Sequence, residues 1–251
     1  MDLGLRNKAA VITGASRGIG RAIAHALARE GCHVAICARG AETLASTADE
    51  LCRLSVKVFA QPCDVADVVQ LDTFLESAHA ALGRLDVLVN NASALAFSDD
   101  EGGWRQSVET DLMASVRATW KVVPWLEQAG GGAIVHISSG SGLEAGSPPA
   151  YAAMKAALIS HSKTMAIQLA PKKIRVNCIA PGSIEFPGGL WAKIKSRNPA
   201  LYAATRATIP FGRLGTAEEV ADAVVFLCSE RASWIAGAML AVDGGQHKGN
   251  L

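Results

Sequence analysis

"AAVITGASRGIGRAIAHALAREG" (residues 9–31) is the stretch that decides the fold. It opens on a short apolar run, turns at "TGASRGIG" (13–20), and continues as "GRAIAHALAREG", whose apolar residues recur at helical spacing. A strand that passes through glycines directly into a helix is the start of a βα unit. Gly14, Gly18 and Gly20 let the backbone turn tightly and approach a ligand. The helix N-terminus behind them offers unpaired N–H groups to a pyrophosphate. The spacing is GxxxGxG, not the GxGxxG of many dinucleotide binders.

The unit repeats along the chain. "AAVITG" (9–14), "HVAICA" (33–38), "VKVFAQ" (56–61), "LDVLVN" (85–90), "AIVHIS" (133–138), "IRVNCIA" (174–180) and "AMLAV" (238–242) read as seven strands. Between most of them lie Ala-, Leu- and Glu-rich stretches such as "AEEVADAVVFLCSE" (217–230), which fit amphipathic helices. This order predicts an α/β fold: one doubly wound domain over residues 1–251, with a mainly parallel seven-stranded sheet and helices on both faces. Residues 183–215 break the pattern. They carry Pro187, Gly188, Gly189, Pro199 and Pro210 among isolated aromatics, show no strand, and are read as a substrate lid.

Composition narrows the partners. The chain has 251 residues, half of them hydrophobic, which suits one domain with a large core. Twenty-four basic against 23 acidic residues leave a net charge of +1, so no electrostatic footprint for nucleic acid or an anionic membrane is present. A small-molecule partner is expected. The six cysteines lack CxxC or zinc-type spacing and read as inert buried thiols in a reducing compartment. His25, His33, His79, His136 and His161 show no ligand spacing either, so no metal site is expected. The start of the chain lacks a signal-peptide pattern and no apolar run approaches 18 residues, which points to the cytoplasm.

The second informative stretch is "SSGSGLEAGSPPAYAAMK" (138–155). The chain has only two tyrosines, and one of them, Tyr151, precedes Lys155 by a single helical turn. Their Cβ atoms then lie roughly 5–6 Å apart on one face. A free phenol titrates at about 10. A nearby ammonium stabilises the phenolate, which makes Tyr151 a workable acid for carbonyl reduction or base for alcohol oxidation. At the end of the second strand, "ICARG" (36–40) has Ala38 and Arg39 where an acid would meet the ribose 2′-hydroxyl of NAD. Arg39 and Arg17 suit the 2′-phosphate of NADP instead.

TGxxxGxG, "NNA" (90–92), a serine, YxxxK and "PG" (181–182), in this order between about residues 5 and 247, resemble the short-chain dehydrogenase/reductase family. "RLGTAEEVADAVVFLCSE" (213–230) and "VDGGQ" (242–246) are most similar to its 3-oxoacyl-[acyl carrier protein] reductase branch. The resemblance implies a Rossmann-type oxidoreductase that uses NADP(H) to transfer a hydride between the nicotinamide and a carbonyl or secondary alcohol. A 3-oxoacyl thioester, a cyclic ketone, a steroid-like alcohol and a sugar-derived ketone all fit that description. It implies Ser139, Tyr151, Lys155 and Asp111 as catalytic residues. Lys155 would also hold the nicotinamide ribose. Ser139 with Gly142 fits the family's Ser-x-x-Gly, whereas Ser138 fits its usual thirteen-residue separation from the tyrosine; the motif beside the strand end favours Ser139. The implied cofactor-binding set is Gly14, Ser16, Arg17, Gly18, Ile19, Gly20, Arg39, Asp64, Val65, Asn91, Ala92, Tyr151, Lys155, Pro181, Gly182 and Ile184, with Asn90 beside Ala92 on the adenosine side.

Three positions depart from the family pattern. Asp111 in "VETDL" (108–112) stands where an asparagine is usual; it keeps an acceptor, loses the amide donor and adds a charge. That change motivates a second reading, a nucleotide-binding protein with weak or no catalysis. Ser93 replaces the glycine that completes "NNAG", and Phe186 replaces a threonine that meets the nicotinamide, so it either narrows the site or packs against the lid. Leu190, Trp191 and Tyr202 are read with Phe186 as apolar lid walls, and Lys193, Lys195 and Arg197 as a solvated face or anion contacts. Family resemblance also implies a homotetramer with 222 symmetry, with the helix carrying Trp104, Trp120 and Trp125 at a subunit face.

Overall fold

The computed structural model of the chain describes residues 2–249. Strands and helices alternate: β1 (Ala9–Thr13), α1 (Gly18–Arg29), β2 (His33–Ala38), α2 (Ala41–Cys52), β3 (Val58–Pro62), α3 (Val68–Leu82) and β4 (Val87–Asn90). A long helix follows, built from α4 (Glu101–Gln106), a π-helical turn (Ser107–Met113) and α5 (Ala114–Gln128). Then come β5 (Gly132–Ile137), α6 (Pro149–Leu169), β6 (Ile174–Pro181), β7 (Ile184–Glu185), α7 (Leu190–Arg197), α8 (Pro199–Thr208), β8 (Gly215–Thr216), α9 (Ala217–Cys228) and β9 (Met239–Val242).

Seven strands form one sheet in the order β3-β2-β1-β4-β5-β6-β9, with every pairing parallel. The period of two sorts each strand's side chains onto two cores. Ala10, Ile12, Val34, Ile36, Val87 and Val89 pack on the face covered by α1 and α9. Ala9, Val11, Ala35, Cys37 and Leu88 pack on the opposite face, under α3, α5 and α6. Strand order reverses between β1 and β4, and the crevice at that reversal is where open α/β sheets hold ligands.

Local chemistry sets the element ends. Asp67 caps α3 by accepting from the backbone N–H groups of Val69 and Gln70, and Gly83 ends it at φ 79°. Thr216 and Glu219 form a reciprocal capping box at the start of α9. Strand limits shift by up to two residues from those read in the sequence. Just before β4, the Asp86 side chain accepts from the Ala9 N–H of β1 and from Arg84.

Residues 183–215 are more regular than their sequence suggests. Instead of an irregular excursion without strands, they contain α7, α8 and the two-residue parallel pair β7–β8. Pro199 breaks nothing, because it sits at the first turn of α8, where its missing N–H has no partner to lose and Asn198 caps the helix through the Leu201 N–H. Glu185 ties this segment together, accepting from Lys195 at 2.9 Å and from the Tyr202 hydroxyl at 2.5 Å. Lys195 is therefore tied within this segment and is not an open anion contact.

Candidate active site

The carboxyl ends of β1, β4, β5 and β6 open into a cavity of about 1010 Å³. At its base lies the glycine turn. Gly14 (φ 67°) and Gly18 (φ 55°) adopt the left-handed conformation that disfavours other residues. Gly20 is needed for a different reason: a Cβ there would stand 2.4 Å from both the Asn91 side-chain nitrogen and the Gly14 carbonyl oxygen. No side chain caps the start of α1, so its N–H groups face the cavity end unpartnered by side chains. A cradle of bare backbone and open helix N–H groups fits a pyrophosphate.

Most of the sequence-predicted cofactor positions meet on this cavity. Gly14, Ser16, Arg17, Ile19, Gly20, Arg39, Asp64, Val65, Asn91, Ala92, Tyr151, Lys155, Pro181, Gly182 and Ile184 all line it. Gly18 does not, because the Phe186 ring covers it; a Cβ on Gly18 would lie 2.5 Å from that ring. Phe186 thus packs on the glycine turn. Asn90 also turns away. It is buried and donates to the His136 Nδ1 at 3.2 Å, so it belongs to the interior and not to the adenosine side. The Asn91 amide donates to the carbonyls of Thr13 and Gly14, each at 3.0 Å, and so braces the turn from below.

Tyr151 and Lys155 stand on one face of α6, with Lys155 Nζ 5.5 Å from the centre of the tyrosine ring. The Tyr151 hydroxyl makes no hydrogen bond among the described residues. Lys155 is only 2% exposed, and its ammonium donates to the Ile137 carbonyl at 3.1 Å and lies 3.2 Å from Asp111 Oδ1. An ammonium has three donors, so one remains for the cavity. Asp111 sits in the π-helical turn, a local widening that brings its carboxylate inward to full burial.

The two serines divide clearly. The Ser138 hydroxyl is spent on the Lys155 carbonyl at 2.7 Å. Ser139 accepts from the Ser141 N–H at 3.1 Å and keeps its own O–H free. Gly142 explains the Ser-x-x-Gly spacing, because a Cβ there would lie 2.7 Å from the Lys155 carbonyl carbon. The loop can pass α6 only without a side chain. Gly182 is constrained in the same way, by Asp243 and Gln246.

Several features escaped the sequence reading. Gln246 exchanges hydrogen bonds with the Ser183 backbone and hydroxyl, tying the chain after β9 to the cavity rim. Ser93 donates to Asp111 at 2.5 Å. Behind Lys155, His136 is pushed down to about 3 by burial, then by His161 and Lys155, so it is neutral at ordinary pH. Trp125 is half-buried and stacks on His79 at 4.4 Å, whereas Trp104 and Trp120 are exposed. Cys52 is exposed, unlike the other five cysteines. No metal-binding cluster occurs among the described residues, and no described helix is long and apolar enough to cross a membrane.

Comparison with known proteins identifies the architecture. The family model described as Enoyl-(Acyl carrier protein) reductase matches residues 14–247. The 3-oxoacyl-[acyl-carrier-protein] reductase FabG of Thermotoga maritima is 38% identical over 96% of this chain and 98% of its own. L-sorbose reductase from Gluconobacter frateurii, solved with NADPH and L-sorbose, matches with a TM-score of 0.92 at 37% identity, over 99% of this chain and 100% of that one. A 7α-hydroxysteroid dehydrogenase solved with NADH and 7-oxo glycochenodeoxycholic acid matches with a TM-score of 0.90 at 34% identity, over 97% of this chain and 96% of that one. With these relatives matched over nearly their whole length, the chain belongs to the short-chain dehydrogenase/reductase family, oxidoreductases acting on alcohol or carbonyl substrates.

Proposed function

We propose that this protein is an NADP(H)-dependent oxidoreductase that interconverts a ketone, such as a 3-oxoacyl thioester or a similar carbonyl compound, and its secondary alcohol. The observation that carries the reading is the free Tyr151 hydroxyl on the cavity, one helical turn from an ammonium held by Asp111 and the Ile137 carbonyl. Bound nicotinamide supplies or accepts the hydride. Tyr151 gives the proton to the developing alkoxide, or takes it in the reverse direction, with the Lys155 ammonium close by to offset the charge that develops there. Ser139 donates its free O–H to the same substrate oxygen as charge grows there. The glycine turn and the N-terminus of α1 hold the pyrophosphate, with Asp64 and Val65 beside the adenine.

Substrate orientation falls to the lid together with the loops after β4 and β5. Phe97, Leu190, Trp191 and Leu201 offer apolar wall, while Ser141, Ser147 and Glu144 add polar groups, a mixture that suits a ketone with an apolar body and a polar end. NADPH oxidation followed by absorbance across a panel of 3-oxoacyl thioesters, cyclic ketones, oxo-steroids and keto-sugars tests the proposal. Turnover of at least one class is expected. Tight NADPH binding with no turnover on any of them would instead favour a nucleotide-binding protein without chemistry.

The preference for NADP rests on Arg39 and Arg17. Arg39 is exposed on the cavity rim with no ion-pair partner among the described residues, and Arg17 makes one long contact, to the Gly188 carbonyl at 3.4 Å. Relatives in this fold are solved with NADPH and with NADH, so the choice lies in these side chains. Arg39→Asp is expected to raise the KM for NADPH roughly 10- to 100-fold, the worth of a charge-assisted hydrogen bond, and to lower that for NADH. Equal efficiency with NADH in the unmodified protein would refute the assignment.

A homotetramer in the cytoplasm completes the proposal. Trp120, Ile167 and Trp234 are 60%, 69% and 99% exposed, unusual for large apolar side chains unless a second subunit covers them. Light scattering is expected to give four times the chain mass, and a stable monomer at micromolar concentration would overturn the expectation. Six free cysteines agree with a reducing compartment.

A further inference from the structure

We propose that Ser93 and Asp111 act as one unit that fixes Lys155 by charge, with Ser93 as a positioning residue for the reaction; this rests on the oxidoreductase reading above. Ser93 leaves the sheet just beyond β4 and lines the cavity. Its O–H donates to Asp111 Oδ1 at 2.5 Å, and that same oxygen lies 3.2 Å from Lys155 Nζ. The other carboxylate oxygen accepts from the Ala94 N–H at 3.3 Å. In turn Ser93 Oγ accepts from the Leu95 N–H at 3.3 Å, which fixes the direction of its own proton.

The side chains of Asp111 and Lys155 are 0% and 2% exposed, so neither charge is hydrated. A buried ion pair is tolerable only when its remaining lone pairs and protons are satisfied. Here the hydroxyl of Ser93 and the Ala94 N–H satisfy the carboxylate. A glycine at position 93 would leave Asp111 Oδ1 with the ammonium alone. A neutral amide at position 111 would gain less from the hydroxyl, since it carries no charge to stabilise. The two unusual residues therefore make sense together, one supplying the anchor for Lys155 and the other satisfying that anchor's oxygen.

Other titratable groups face the pair from the elements packed around it. On α6 the neighbour is Tyr151 itself. On β5 His136 is neutral, being pushed down to about 3, and on β6 burial pushes Cys178 up to about 11. On the same helix as Asp111, Glu109 is engaged by Arg117 at 2.7 Å.

The test is a double-mutant cycle of Ser93→Gly, Asp111→Asn and the pair, with Ser93→Thr as the conservative control. Each protein is assayed for kcat and KM and unfolded in urea. Ser93→Gly is expected to lower kcat about tenfold with the NADPH KM within about twofold, the scale of one charge-assisted hydrogen bond. Ser93→Thr restores kcat. In the Asp111→Asn background the same glycine change has less than about a twofold effect, and the urea midpoints are non-additive in the same sense. Equal effects of Ser93→Gly in both backgrounds, or no recovery with Ser93→Thr, would overturn the proposal. If the unmodified protein turns over no carbonyl compound, the functional reading has failed, and the urea cycle alone still decides whether the unit exists: additive midpoints reject it.

Discussion

Tyr151→Phe is expected to lower kcat roughly 10²- to 10⁴-fold, the range that a positioned general acid contributes, while leaving NADPH binding and thermal stability nearly unchanged. The expectation follows from what the hydroxyl does in the folded chain. It has no hydrogen-bond partner among the described residues, so its removal leaves no orphaned donor or acceptor and opens no cavity, because the ring remains. Lys155 keeps its contacts with Asp111 and the Ile137 carbonyl. The only loss is the proton that meets the substrate oxygen. Single-turnover kinetics with saturating NADPH, beside a fluorescence titration of NADPH and a melting curve, separates these quantities. Retained turnover would remove Tyr151 from the mechanism.

The sheet was legible because its strands announce themselves twice, as apolar runs and as runs bounded by turn residues. "AAVITG" and "HVAICA" needed no tertiary information to be placed side by side once the glycine turn fixed the first βα unit. The helices of residues 183–215 were missed because proline and glycine weigh against helix when counted, although Pro199 stands at the first turn, where a helix accepts it. β7 and β8 escaped notice for another reason: two residues pairing with two carry no period at all.

In the site, spacing gave Tyr151 and Lys155, but side-chain direction had to come from the fold. Asn90 and Asn91 are neighbours in sequence, yet the strand's alternation sends the first to His136 and the second to the glycine turn. Ser138 and Ser139 differ by the same alternation, one against the Lys155 carbonyl and the other at the cavity. Ser93 and Asp111 each looked like a solitary departure. Their eighteen-residue separation hides a direct hydrogen bond that only the π-helical turn brings about.

The ion pair beneath the site makes Lys155→Met the substitution with the largest combined effect. Methionine is a long, unbranched apolar side chain that can follow the lysine stem into its buried slot, so packing is largely kept. What remains is Asp111, fully buried, with two hydrogen-bond donors and no counter-charge. Breaking one side of a buried pair costs about 3–5 kcal/mol, which for a domain of this size lowers Tm by roughly 10 °C. A second substitution identifies the cause. Adding Asp111→Asn removes the stranded charge, so the double variant should regain most of the Tm at neutral pH. It should not regain turnover, because the ammonium beside Tyr151 is still missing, and kcat is expected to stay at least roughly 10²-fold low. Differential scanning calorimetry, beside the NADPH assay, checks both halves. A double variant with no recovery of Tm would mean that packing and not charge was disturbed, and a double variant with restored turnover would mean that the ammonium takes no part in the chemistry.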